Sequence, residues 1–216
     1  LKWFAVEKPE VLARSKCFLG IKDYVRLRLT GQFCMELTEA SSSGLMNIDT
    51  LKWDECLFEI MDMEAQFRLA PKCIGVTDTG GCISDAGQEA TGIPAGTPVS
   101  GSCFDVDAGM LASGILDSET LCMIAGTWSI NEHLAPEWNY GYGETSNSIS
   151  MSFLPGHVLV EESTPTSASN LDWYIEKFME GDLPEQNKKQ FYEACNRAVS
   201  ELPADQSDVV FVPYLF

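Results

Sequence analysis

A chain of 216 residues, set against a typical domain of about 150, holds one to two domains and can bury a real core. Its 14 Lys and Arg against 32 Asp and Glu leave a net charge of −18, which argues against nucleic acid or an anionic membrane surface as an electrostatic partner, since such polyanions are held by cationic contacts, and an anion would need a local site. With 45% hydrophobic and 21% charged residues, the acidity coats an ordinary globular fold, and disorder is excluded as the main state.

The chain opens in Leu1-Lys2-Trp3-Phe4, as if inside a helix, and closes in the strand-like run Val209 to Phe216, so both ends are expected to be cut from longer sequence. Lys22 to Thr30 predicts a helix stopped by Gly31, and Asp54 to Met61 predicts another. Ser84 caps a third that ends at Gly92, after which Ile93 to Pro98 makes a stiff turn into a short strand at Val99 to Gly101. A helix from about Val106 to Ser113 follows. Strands are then expected at Thr120 to Ala125, Trp128 to Ile130, Ser148 to Phe153 and His157 to Val160, with a long loop from Glu132 to Asn147. Two helices at about Asn170 to Met179 and Pro184 to Ser200, then a strand at 208–212, complete an α/β or α+β pattern whose best boundary is near Asp117.

The eight cysteines are scattered, with no C-x-x-C pair and no His at zinc-ligand spacing, so buried reduced thiols are expected. No N-x-[ST] sequon, secretory leader or apolar run of about 18 residues is present, and the chain reads as soluble and cytoplasmic. His133 and His157 sit beside no nucleophile elbow and read as structural, and no P-loop occurs. The tryptophans read as core, with Trp128 open to either core packing or sugar stacking.

Three segments carry candidate chemistry. In Gly101-Ser102-Cys103-Phe104-Asp105-Val106-Asp107-Ala108-Gly109 a strand runs into a helix whose first turn holds two carboxylates, where the helix dipole favours an anion able to take a proton from a substrate hydroxyl. Simple N-capping explains the same pattern. A calcium loop does not, because Gly109 and Leu116 stand where ligands are needed. Gly126-Thr127 forms a tight turn between strands, suited to a terminal phosphate or to turn chemistry alone. Ser163 to Asn170 is a hydroxyl-rich loop opening a helix, which fits phosphate, ribose or plain capping.

In their order these segments resemble the FGGY family of carbohydrate kinases along nearly the whole chain. The resemblance is carried by Lys22-Asp23-Tyr24 with Leu29-Thr30-Gly31, Thr38-Glu39-Ala40-Ser41-Ser42-Ser43, Gly92 to Val99, Gly101 to Gly109, Gly126-Thr127, Thr164 to Ser167 with Leu171-Asp172-Trp173, and Phe211 to Leu215. Phe104-Asp105-Val106 and Gly126-Thr127-Trp128 are most similar to the L-xylulose kinase branch. The resemblance implies two actin-like (ribonuclease H-like) domains closing over ATP and sugar, with residues 1–116 the later part of the sugar-binding domain and 117–216 the early part of the nucleotide-binding domain. It implies phosphoryl transfer from Mg-ATP to a ketopentose hydroxyl, with Asp105 as base, Gly126 and Thr127 at the nucleotide's phosphates, and Ala168, Leu171 and Asp172 on a nucleotide-facing helix start. The partners implied are the sugar and ATP, with no nucleic acid or membrane; the oligomeric state, a homodimer included, is not legible. The family's early Gly-Thr-Thr segment, which helps hold metal, and its adenine-cradling glycines are absent, so the isolated chain is expected to be inactive. Val106 replaces an amide and argues against ordinary xylulose specificity. A noncatalytic carbohydrate- or nucleotide-binding relative is the competing expectation.

Overall fold

The computed structural model describes residues 1–126, 128–136, 148–165, 167–178 and 185–203, the last with side chains from 189 onward. The chain forms two compact units. Leu1–Leu121 and His133–Glu161 make the first, and Cys122–Glu132 with the chain after Glu161 makes the second. Among the described residues no helix is long and apolar enough to cross a membrane.

In the first unit, α1 (Lys2–Glu7) and α2 (Pro9–Arg14) lead to α3 (Ile21–Thr30). This last helix stops at Gly31, whose φ of 74° is the left-handed conformation that glycine adopts freely. Its buried residues are Asp23, Arg26 and Thr30, while Tyr24 and Val25 are half exposed, the reverse of an ordinary apolar stripe. The inversion has a polar cause. Arg26 Nη2 meets Asp23 Oδ1 at 2.5 Å and the Cys34 carbonyl at 2.7 Å, and Nη1 donates to the Gly101 carbonyl at 2.7 Å.

Strand β1 (Cys34–Glu36) pairs in parallel with β4 (Lys72–Ile74), and between them lie α4 (Leu37–Ser42), the hairpin of β2 (Met46–Asn47) with β3 (Lys52–Trp53), α5 (Glu55–Ile60) and a 3₁₀ turn at Glu64–Leu69. Leu45, Phe58 and Met63 form a core here, with Phe18, Trp53 and Phe67 packed on it. Edge-to-face ring pairs, Phe18 on Trp53 at 5.2 Å and Phe58 on Phe67 at 5.3 Å, set its geometry. Strands β5 (Thr79–Cys82) and β6 (Pro98–Ser100) pair antiparallel around α6 (Asp85–Thr91). As the sequence predicts, the Ser84 hydroxyl caps α6 by accepting the Gly87 N–H at 3.1 Å, and Gly92 ends it with φ 77°. Helix α7 (Asp105–Ala112) follows β6.

Strand β7 (Cys122–Ala125) and the start of β8 (Ser129–Ala135) form an antiparallel hairpin of the second unit. In the first unit, β9 (Ser148–Met151) pairs antiparallel with the start of β10 (Val158–Thr164), and Ala135 at the end of β8 packs on Val158 and Val160. Helices α8 (Ala168–Phe178) and α9 (Glu185–Ser200) belong to the second unit.

The expected loop from Glu132 starts later, because residues 132–135 continue β8 with Glu132, Leu134 and Ala135 buried. The rest of that loop (137–147), Pro184 and the strand expected at 208–212 lie outside the described residues. All eight cysteines are reduced, but only Cys34 and Cys122 are buried, and Cys56 and Cys82 are exposed. On α5 the buried position is Phe58, and a helix turns residue 56 to the opposite side. Trp3 and Trp128 are likewise exposed and fill no core, whereas Trp53 packs inside with its indole N–H on the Pro71 carbonyl at 2.6 Å.

Replacing the buried guanidinium takes from the fully buried Asp23 its closest counter-charge, leaving the more distant Lys22, so Arg26→Met is expected to cost about 3 kcal/mol. Urea unfolding measures it, and an unchanged midpoint refutes the role given to this pair.

Candidate active site

Asp105 is the first residue of α7, and its placement begins four residues earlier. Gly101 donates its N–H to the Asp78 carbonyl at 2.8 Å and accepts Arg26 on its own carbonyl. A Cβ at Gly101 would stand 2.1 Å from the Gly75 oxygen, so only glycine fits this crossing. Ser102 then takes φ 69°, a left-handed conformation that costs a non-glycine residue roughly 1–2 kcal/mol and persists where neighbours over-determine it. Phe104 is the N-cap residue of α7 and has no side-chain cap bond. Its N–H goes instead to Thr38 Oγ1, at 2.6 Å.

Thr38 stands at the start of α4, where the fully buried Glu36 is the cap: Oε1 accepts the Thr38 N–H at 2.7 Å and Oε2 the Thr38 hydroxyl at 2.6 Å. Lys22 Nζ donates to Glu36 Oε2 at 3.2 Å and lies 3.6 Å from Asp23 and 3.9 Å from Glu39. Asp23 Oδ1 accepts the Glu36 N–H at 3.2 Å as well as Arg26. One polar cluster therefore joins α3, the end of β1, α4 and the residues leading into α7.

At the end of that scaffold the Asp105 side chain is exposed, with Oδ1 accepting the Val106 N–H at 2.9 Å. Asp107 turns inward, is fully buried, and accepts the Phe153 N–H at 2.9 Å. The two carboxylates of the D-x-D pattern thus do different work, one facing solvent and one tying α7 to the segment after β9. Burial pushes the Glu39 carboxyl pKa up; Lys22 opposes the shift, and the charges of Asp23, Asp105 and Glu36 add to it. Burial, then the charges of Asp107 and Glu36, raise the Cys103 thiol in the same way, which keeps it protonated beside the site. An apolar groove elsewhere in the first unit, lined by Phe4, Val11, Leu12, Leu45, Met63 and Leu69, contains none of these groups.

The second unit carries the other sequence-predicted residues. Gly126 forms the bend from β7 to β8, donating its N–H to the Trp128 carbonyl at 2.9 Å and accepting the Ala168 N–H on its own carbonyl at 3.1 Å. The hairpin turn and the first residue of α8 are thereby brought together. Among the described residues a Cβ at Gly126 would meet the Trp128 oxygen, at 3.7 Å, an ordinary contact. Its own amide is engaged inside the turn, and an anion at this bend must be met by neighbouring donors. Thr127 lies outside the described residues. Leu171 is half exposed, and Asp172 is exposed and accepts the Tyr192 hydroxyl of α9, a bond that pushes the Tyr192 pKa up to about 12. Helix α8 begins at Ala168, two residues earlier than expected, because β10 runs on to Thr164 and shortens the hydroxyl-rich loop.

The FGGY carbohydrate kinase N-terminal domain matches residues 1–112, just over half of the chain. The chain belongs to the FGGY family of carbohydrate kinases. Over its full length it is 31% identical to the L-xylulose/3-keto-L-gulonate kinase of Escherichia coli K12 and 30% identical to a probable L-xylulose kinase of Pasteurella multocida, spanning 41% and 42% of those proteins. The fold matches a xylulose kinase structure from Brucella ovis with a TM-score of 0.82 at 19% identity, over 99% of this chain and 42% of that one. A xylulose kinase from Rhodospirillum rubrum gives 0.81, also at 19%. The actin-like, ribonuclease H-like architecture expected from the sequence is therefore the fold of this FGGY chain.

Sequence reasoning singled out Asp105 but gave no role to Arg26, Glu36 or Thr38. Two signals pointed to them: Asp23 and Arg26 lie one helical turn apart with opposite charge, and Glu36-Leu37-Thr38 places an acid and a hydroxyl at a helix start. The raised pKa of Glu39 sets a pH test. Its ionised form is disfavoured in the fold, so the stability contributed by the neutral form is present below the ordinary 4.5 and lost as pH rises through the raised value. Glu39→Gln is expected to stabilise the protein at pH 7, with the gain vanishing as pH falls below 4.5, as thermal unfolding across pH will read; a pH-independent gain contradicts it.

Proposed function

We propose that the protein carrying this sequence transfers the γ-phosphoryl group of ATP to a sugar hydroxyl, with a ketopentose such as L-xylulose as acceptor and Asp105 as general base. The observation that carries the reading is an exposed carboxylate at the head of α7, held by a buried network, in a chain similar from end to end to proteins named L-xylulose kinases. In this reading residues 1–116 belong to the sugar-binding domain and 117–216 to the nucleotide-binding domain. The protein works in the cytoplasm, where ATP is supplied.

In the reaction the Asp105 carboxylate takes the acceptor hydroxyl proton as that oxygen attacks the γ-phosphorus, and the bond to the β-phosphate oxygen breaks to release ADP. The positive end of α7 and its two first-turn carboxylates set the local field, and the exposure of Asp105 leaves room for a polyol. Gly126, Thr127, Ala168, Leu171 and Asp172 form the nucleotide's side of the assignment, supported by the bond that joins the Gly126 turn to the start of α8. Among the described residues no group of three or more His, Cys, Asp or Glu is arranged to hold a metal ion. The Mg²⁺ that accompanies ATP in such transfers would offset the charge on the transferring phosphate.

Asp105→Asn in the protein carrying this sequence is expected to lower kcat by about 10²- to 10⁴-fold. Sugar binding by calorimetry should persist, which separates a lost base from a lost fold. ADP release measured over a panel of ketoses, alditols and sugar acids reads both rate and acceptor class; near wild-type turnover by Asp105→Asn overturns the assignment, and a flat panel favours a noncatalytic binder.

A further inference from the structure

We infer that Thr38, oriented by Glu36, is a positioning residue for Asp105: its hydroxyl fixes the peptide N–H at the head of α7 and with it the direction of the Asp105 carboxylate. The inference rests on the reading of Asp105 as the base, and extends it to two residues that need no contact with substrate.

A threonine hydroxyl has one proton to donate and lone pairs to accept with. Glu36 is acceptor-only when ionised, and as a fully buried side chain it fixes where that proton goes: Thr38 Oγ1 donates to Glu36 Oε2 at 2.6 Å. A lone pair is thereby turned to the Phe104 N–H, which it accepts at 2.6 Å across 66 residues of sequence. Glu36 is itself fixed, by Lys22 Nζ and by the Thr38 N–H. The result is a directional chain from α3 through Glu36 and Thr38 to the residue immediately before Asp105.

Helix α7 does not provide this by itself. Its N-cap residue is Phe104, a side chain with no acceptor, and the bend before it passes through the left-handed Ser102. The bend is held from outside at both ends: by Arg26 and the Asp78 carbonyl on Gly101, and by Thr38 on the Phe104 N–H. Without the Thr38 bond the strained bend can relax at its helix end, and the carboxylate moves with it. Displacements of about 1 Å at a reacting group cost on the order of 10²-fold in rate.

The test compares Thr38→Val, Thr38→Ser, Asp105→Asn and the double variant Thr38→Val/Asp105→Asn in the protein carrying this sequence, with kcat and KM measured for ATP and for the best sugar. Thr38→Val is expected to lower kcat by about 10- to 100-fold with little change in either KM, and Thr38→Ser to restore it. Because Thr38 acts through Asp105, the Val substitution should leave the residual rate of Asp105→Asn unchanged. Should Thr38→Val fail to fold, Glu36→Gln, which keeps the shape and removes the charge that orients the hydroxyl, takes its place in the same cycle. A Thr38→Val rate near wild type, a Thr38→Ser rate as low as that of Val, or a Val effect of equal size in both backgrounds overturns the inference. Near wild-type turnover by Asp105→Asn overturns the general-base reading instead, so the two failures are told apart.

Discussion

The pairing of Arg26 with Asp23, both withdrawn from solvent, is the constraint on which the first unit depends. Removing two charges from water is costly, and the cost is offset only when each finds several well-directed partners. The planar guanidinium supplies them: one nitrogen serves Asp23 and the Cys34 carbonyl of β1, and the other the Gly101 carbonyl beyond β6. A helix, a strand and the approach to the candidate base are thus referred to one rigid group. That is also why α3 presents Tyr24 and Val25 outward, for its inner face was already occupied by the ion pair.

Around this pair the acidic chain manages its own repulsion. Lys22 lies within 4.0 Å of three carboxylates, and Glu36 accepts hydrogen bonds from the start of α4. Glu39 has its pKa raised first by burial, with the neighbouring carboxylates adding to the shift and Lys22 opposing it. The arrangement keeps one carboxylate, Asp105, at the surface while its near neighbour Asp107 serves the interior. Two identical side chains two positions apart differ in role because the helix turns them to different sides.

What was legible in the sequence was local. The stop of α3 at Gly31 and the caps of α6 at Ser84 and Gly92 rest on bonds within a few residues, and each stands where the sequence predicted it. The ordered motifs also identified the family. Long-range structure was opaque: Arg26 meets Gly101 across 75 residues and Thr38 meets Phe104 across 66, so nothing in either segment alone announces the partner. The strands β1 and β4, of three residues each, are too short for a periodic signal. The extension of β8 through His133 was missed because its polar residues resemble a loop, although Glu132 lies on the buried side.

The two units interleave along the chain: the first resumes at His133 and is not finished until Glu161. The residues that resume it are bonded to its earlier half, Met151 to the Ser41 hydroxyl at 2.8 Å and Phe153 to Asp107 at 2.9 Å. Domains fold as units during synthesis, generally from the N-terminal end. Here the ribosome must deliver the β7–β8 hairpin of the second unit before the first can close, so a nascent chain paused near residue 121 still lacks Met151 and Phe153, whose N–H groups Ser41 and Asp107 accept in the finished fold.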